Sequence, residues 1–364
     1  MSATGVKEGL FRRYRDTLLP MLLLLALLLA LTAGWDRLAA PDDRIFSIFF
    51  KPENLGNILR QNAHYGILAV ALTFVIISGG IDLSVGSLLA FSSVIAASLI
   101  ERRPGAGTGY ALMVMAAGVV AGLVPGLLNG FLITYARAAP EWAARQVTAR
   151  LRGDRPPGLG MNEMQPFIVT LAMMSVARGL AFLWTGGRGI DIYGRQPEAF
   201  AALGRNLVIG GVGLPWPGII FLLTVILGHL LLTYTRFGRW LYAIGSSQPA
   251  AVLAGIPVAR VKILVYGLSG ALCGLAALIY TSVQNAGRPD DGVGFELDAI
   301  AAAVIGGASL SGGRGRVSGT LIGALIIGVL NNVLGLRGID PNMQRVLKGI
   351  IIIAAVLLQR EQKQ

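Results

Sequence analysis

The chain has 364 residues, of which 54% are hydrophobic and 14% charged. A soluble domain of this length needs more polar surface, which argues against a large globular enzyme. The formal net charge of +12 does not point to nucleic acid, because the basic residues sit singly or in small groups beside apolar blocks, with no aromatic-interleaved basic face. Apolar blocks of bilayer-crossing length predict an all-α polytopic membrane protein.

In chain order the apolar blocks predict about ten spans, at 18–34, 64–78, 84–100, 110–134, 166–185, 217–234, 262–281, 297–308, 318–335 and 345–359. The first follows Arg12, Arg13 and Arg15 and is followed by no clear small-residue cleavage site. It therefore reads as an uncleaved helix rather than a signal peptide, with residues 1–17 as a cytoplasmic segment. The whole chain is expected to form a single transmembrane domain. Orientation rests chiefly on the basic loop 135–155, where Arg137, Arg145, Arg150 and Arg152 directly follow a span. The positive-inside rule then places both termini in the cytoplasm. The segment 138–164 reads as a basic cytoplasmic surface segment whose first part is helical and ends at Pro156 and Pro157, suited to lipid headgroups, an ATPase, or no partner.

Two pairs of spans are interrupted rather than separated. GGIDLSVG at 79–86 joins one pair and GGASLSGG at 306–313 the other, a shared GGxxLSxG text in the two halves. Short, Gly-interrupted hydrophobic segments at corresponding places of two halves point to duplication and to a transport route. The gate or helix-break candidates are Gly79, Gly80, Asp82, Ser84 and Gly86 in the first half. In the second they are Gly306, Gly307, Ser309 and Ser311.

Asp82 lies between two apolar blocks, where an ionised group is expensive unless paired or hydrated. It suits an N-cap for the helix beginning near Ser84, and equally a group that lines a gate or stabilises the break. Arg178 lies inside a span and needs an acidic or carbonyl partner or a route to the surface, with Asp298 a candidate acid. Asn129, Asn331 and Asn332 fit hydrogen-bonded helix contacts or a polar solute route. The stretch 246–255 reads as a short helix, capped by Ser246 or Ser247, with Pro249 in its first turn and Gly255 at its end. Cys273 reads as a packing residue, and His64 and His229 have no metal-ligand spacing. There is no GxxxxGK[ST], HExxH, CxxC or GxSxG signature, so no ATP-binding or hydrolytic site is expected on this chain.

GGIDLSVGS at 79–87 resembles the hallmark of the ribose/xylose/galactose-type ABC permease family. The resemblance continues through QPFIVTLAMMSVARG (165–179), GRWLYAIGSSQPAAVLAGI (238–256) and ELDAIAAAVIGGASLSGGRGRVSGTLIGALIIGVLNN (296–332). It covers about residue 50 to the C-terminus, and segment 138–164 departs from it as an insertion. The resemblance implies a permease pairing with a second permease copy, two ATPase subunits that carry ATP and Mg, and a periplasmic sugar-binding protein, in the bacterial inner membrane. It also implies that loop 240–260 holds a coupling helix, with Ser247, Gln248, Pro249, Val252, Leu253 and Gly255 docking on the ATPase. The competing expectation is a secondary transporter driven by H⁺ or Na⁺, for which Asp82 or Arg178 would serve the ion. An intramembrane enzyme lacks a nucleophile with a base.

Overall fold

The computed structural model describes residues 49–135, 165–209, 212–340 and 342–350. The expected span 18–34, the segments 1–17 and 138–164, and most of 345–359 lie outside them. Helix dominates. In order come α1 (Pro52–Ile77), α2 (Val85–Arg102), α3 (Thr108–Tyr135), α4 (Pro166–Thr185), the short α5 (Glu198–Ala201), α6 (Trp216–Tyr234), α7 (Arg236–Ser246), α8 (Gln248–Leu253), α9 (Val258–Gln284), α10 (Phe295–Ile305) and α11 (Val317–Leu336). Residues 342–350 are also helical.

Six helices among the described residues are long and apolar enough to cross a membrane: α2, α3, α4, α6, α9 and α11. The described residues thus do not confirm a count of about ten spans. The expected span 297–308 is the short α10, and 64–78 is the rear of α1, whose front carries Arg60, Gln61 and Asn62. An all-α chain is also corrected in detail, because two small antiparallel ladders stand at one end. Strand β1 (Ile190–Asp191) pairs with β4 (Ala286–Gly287), and β2 (Asn206–Ile209) with β3 (Val212–Pro215). We refer to this as the strand end. The opposite end carries α7 and α8.

The scaffold is the pair α3 and α9, whose backbones touch through glycine. A Cβ added at Gly270 would strike the Gly122 carbonyl, and one added at Gly126 would lie 2.9 Å from Gly270 Cα. In an apolar solvent there is no hydrophobic drive to hold helices together, so close backbone approach supplies the dispersion contacts. Helix α9 also lies against α1 and α2. The rear of α1 is fully buried, and its Phe74, Ile76 and Ile77 join Leu88 of α2 and Tyr266 of α9 in the main core. Cys273 is a free, buried thiol in α9 within the same core. His64 is enclosed by the rings of Tyr65, Tyr280 and Phe295, with centroids 4.2, 4.9 and 5.2 Å away. No metal-binding group of side chains occurs among the described residues.

Beyond α9 the chain turns back along α2. Gly287 meets Ser93, and Gly292 packs on Gly86 so closely that a Cβ on Gly86 would strike the Gly292 carbonyl. Loop 288–294 thus descends beside α2, and α10 begins next to the start of α2.

Gly270→Val should force α3 and α9 apart, at a cost of about 1–3 kcal/mol or more from overpacking. The exposed Gly179, with nothing within 4 Å of an added Cβ, should accept Ala unnoticed. Thermal midpoints of the two variants in detergent, measured by size-exclusion stability, check the contrast.

Candidate functional site

The two helix breaks end their helices identically. Helix α1 stops at Ile77, with Gly79 N–H bonded to the Ile76 carbonyl (2.9 Å) and Gly80 N–H to the Val75 carbonyl (3.0 Å). Helix α10 stops at Ile305, with Gly307 N–H bonded to the Val304 carbonyl (2.9 Å) and Ala308 N–H to the Ala303 carbonyl (2.9 Å). Each is a Schellman stop, which needs a left-handed residue just past the end. Gly79 (φ 80°) and Gly307 (φ 87°) supply it. The GGxxLSxG text aligns Gly79 with Gly306, whereas the helix ends align Gly79 with Gly307. The written register of the repeat is therefore off by one residue, and Asp82 corresponds to Leu310.

After the stop the breaks differ. In the first, residues 78–84, Asp82 is wholly buried. Its Oδ1 accepts from the Ser84 N–H (3.0 Å) and hydroxyl (2.6 Å), and its Oδ2 from the Ser269 hydroxyl of α9 (2.9 Å). Asn129 of α3 donates to Ser84 Oγ (3.0 Å). The N-cap of α2 is Ser84, whose side chain makes no cap bond. Asp82 thus does not cap α2 through its first-turn amides; it ties the break to the α3–α9 scaffold. The second break, residues 306–316, is longer and closes on itself through Ser309 N–H to the Arg314 carbonyl (3.0 Å) and Gly312 N–H to the Ser309 carbonyl (2.9 Å). Ser311 is exposed.

The breaks touch each other. Gly313 N–H donates to the Ile77 carbonyl (2.9 Å), and a Cβ on Gly312 would lie 2.9 Å from Gly79 Cα. Helix α7 covers the junction. A Cβ on Gly245 would strike the Ile77 carbonyl, Gly313 sits against Ser246, and the Tyr242 hydroxyl donates to the Gly315 carbonyl (2.7 Å). The short expected helix is α8. Ser247 is its N-cap, accepting from Ala250 N–H (3.4 Å); Pro249 lies in its first turn, and Gly255 (φ 75°) follows its end. Gln248 accepts from Lys262 Nζ (2.7 Å), which ties α8 to α9. Ala251 is buried, whereas Val252 is 48% and Leu253 90% exposed.

A transport-family profile described as "Branched-chain amino acid transport system / permease component" matches residues 54–356. This chain belongs to that permease family. Among its relatives is the ribose import permease protein RbsC of Bacillus subtilis, 43% identical over 86% of this chain and 86% of the relative. RbsC of Escherichia coli is 37% identical over 86% and 88%, and the L-arabinose permease AraH of Azospirillum brasilense 36% over 86% and 81%. No solved structure matches. The permease is a multi-pass membrane protein.

In the permease, Arg178 does not pair with Asp298. Its Nη1 donates to the carbonyls of Pro289 and Asp291, both at 2.6 Å, and so clamps loop 288–294 from α4. Curling that loop against Gly86 brings backbone oxygens to α4. Asp298 instead pairs with Lys348 (2.8 Å), and this partly buried bridge joins α10 to the last described helical turns. Asn332 exchanges two hydrogen bonds with Asn54 (3.0 Å each), joining α11 to α1. Asn331 keeps a buried Oδ1 without a partner among the described residues.

Sequence reasoning missed Ser269, Tyr242, Gly245 and Lys348. Ser269 is one small residue in an apolar helix and carries no pattern. Tyr242 and Gly245 lie on α7, which alternates apolar with basic and small residues just before the Ser-Ser-Gln-Pro cap. A helix start at Thr235, whose hydroxyl accepts from Gly238 N–H (3.3 Å), was legible there.

Asp82→Asn should keep the carbonyl acceptor for Ser84, and its amide can donate to Ser269. Asp82→Leu strands at least two buried polar groups at about 1–3 kcal/mol each. The thermal midpoint of the leucine variant should fall well below that of the asparagine variant; equal midpoints would remove the anchor role. Lys348→Met should cost about 3–5 kcal/mol by leaving Asp298 buried and unpaired, and adding Asp298→Leu should restore most of it. A double-mutant cycle on unfolding midpoints measures that coupling.

Proposed function

We propose that this chain is the transmembrane subunit of an ATP-binding-cassette importer for a sugar or similar small polar solute, the relatives' ribose and arabinose making pentoses the leading class. In this reading the solute is delivered by a periplasmic binding protein. ATP and Mg act on separate ATPase subunits, this chain being no enzyme and holding no cofactor, and a second permease copy completes the route. The chain sits in the bacterial inner membrane. Its α7–α8 end and both termini face the cytoplasm, and the strand end faces outward. The segment 138–164 is a cytoplasmic insertion.

The observation that carries this reading is the arrangement of α7 and α8. Helix α8 presents Val252 and Leu253 outward, an apolar pair exposed beside a basic surface, which suits insertion into a partner's groove. Helix α7, continuous with it through Ser247, rests on both helix breaks at once. A push on α8 therefore arrives at Ile77 by close backbone approach of Gly245, at Gly313 through Ser246 and at Gly315 through the Tyr242 side chain. Asp82 then acts as the fixed attachment of the first break. The secondary-transporter alternative leaves the exposed α8 without a use and asks Asp82 to serve an ion while its oxygens already accept three hydrogen bonds.

The test is co-purification of the permease from gently solubilised membranes, with an ATPase assay and mass identification of what accompanies it. We expect an ATPase subunit whose activity rises with a periplasmic binding protein. Replacing Val252 and Leu253 together with Glu should abolish co-purification or uncouple hydrolysis from transport, with insertion intact. Transport by a lone permease on an ion gradient would overturn the importer reading, and unchanged transport in the double variant would overturn the role given to α8.

A further inference from the structure

The strand end holds two adjoining cavities. One, of about 370 Å³, is walled by Asp191, Tyr193, Asn285 and Arg288. The other, of about 500 Å³, is walled by Arg60, Gln196 and Arg205 and shares Tyr193 and Asn285 with the first. Both volumes lie in the roughly 300–1,000 Å³ range of small-molecule sites, and their walls mix polar and apolar surface in near-equal parts where such sites are mostly apolar.

Three features mark these walls. Asn285 is the one non-glycine residue at positive φ (55°) among the described residues. An asparagine can end a helix in this way, yet ending α9 does not require an amide shared between two cavities. Backbone outliers of this kind cluster at functional sites. The conformation is held by the Asn285 carbonyl accepting from Ile192 N–H (2.9 Å) and by its Oδ1 accepting from Gln196 Nε2 (2.7 Å). Second, Arg60 Nε is buried without a hydrogen-bond partner among the described residues. Third, Tyr193 is 77% exposed, a large ring standing between two polar hollows.

The chemistry of the walls selects a ligand class. A hydroxyl both donates and accepts, so a polyol is best met by planar groups that offer paired donors or paired acceptors. Asp191 brings a carboxylate, Gln196 and Asn285 bring amides, and the arginines bring rigid forks of donors. An anion would gain from Arg60, Arg205, Arg288 and the amide donors but would leave the Asp191 carboxylate opposed to it, while an apolar ligand would offer the arginines nothing. The ring of Tyr193 offers a flat apolar surface to the C–H face of a sugar.

We propose that the two cavities form a shallow acceptor subsite for a monosaccharide, where the solute is held as it leaves the external carrier and before it enters the route between helices. This inference rests on the importer reading, with the strand end outward. It implies weak binding, because a handover site that held sugar tightly would stall its release.

The permease alone in lipid nanodiscs is the test object, with saturation-transfer NMR against D-ribose, L-arabinose, D-xylose and D-galactose at millimolar concentration, and acetate as the anionic probe. We expect transfer to at least one sugar, weakened about fivefold or more in Tyr193→Ala and in Asn285→Gly, which keeps the left-handed backbone. Leu264→Ala, on the exposed flank of α9, should leave it unchanged. No transfer to any of the four sugars overturns the subsite, as does equal transfer in the variants. Transfer to acetate alone also overturns it and gives the cavities to a carboxylate instead. The importer reading is judged separately by the co-purifying ATPase. An associated ATPase with silent sugars removes the subsite only, and a missing ATPase removes the importer reading whatever the spectra show.

Discussion

A helix that stops inside an apolar interior leaves backbone carbonyls and amides with no water to satisfy them, at a cost of several kcal/mol for each unpaired group. This permease has two such stops, side by side, and much of its architecture is arranged to accommodate them. Each is closed first by its own Schellman bonds, which deal with the carbonyls nearest the end. The carbonyl of Ile77 remains, and it is capped by Gly313 from the other break. Neither break is complete alone. That mutual dependence explains why the glycines gather there: a side chain on Gly245, Gly312 or Gly313 would hold the segments apart and expose the groups they satisfy.

The remaining elements fall into two roles around this junction. Helices α3 and α9, joined backbone to backbone, form a stiff support, and Asp82 fastens the first break to it through Ser269 and Ser84 while Asn129 reaches Ser84 from α3. Helix α7 forms a cover that bears on the junction, with α8 following it at the surface. Arg178 performs a comparable service for loop 288–294, taking the carbonyl partners that the sequence left open rather than the candidate Asp298. A guanidinium inside a span is tolerated because those carbonyls, themselves in need of donors, satisfy it.

Much of this was legible in the sequence, and the limits have physical causes. The repeated GGxxLSxG text located both breaks, because a helix stop requires glycine at a set place. Yet the text was offset from the helix ends by one residue, since two successive glycines allow either to take the left-handed position and only the backbone decides. Ser247, Pro249 and Gly255 delimited α8, capping being local chemistry that spacing reveals. Contacts across helices were not legible. The pairing of Asp298 with Lys348 rather than Arg178, and of Asn332 with Asn54, depends on which faces meet, and residues such as Ser269 acquire meaning only from the carboxylate opposite. The strand ladders escaped notice because β1 and β4 are too short to impose a period.

The offset register has a consequence for movement. The first break carries a buried carboxylate tied to the support, while its counterpart in the second is Leu310, 39% exposed and unable to make such a tie. The second break is also the longer of the two and closes on itself by backbone bonds, where the first is tied to the support by a side chain. The two breaks thus differ as a door frame differs from a door: one segment is the jamb, bolted to the wall by Asp82, and the other is the leaf, hung from Ile77 through Gly313 and held by α7 through Tyr242 at Gly315.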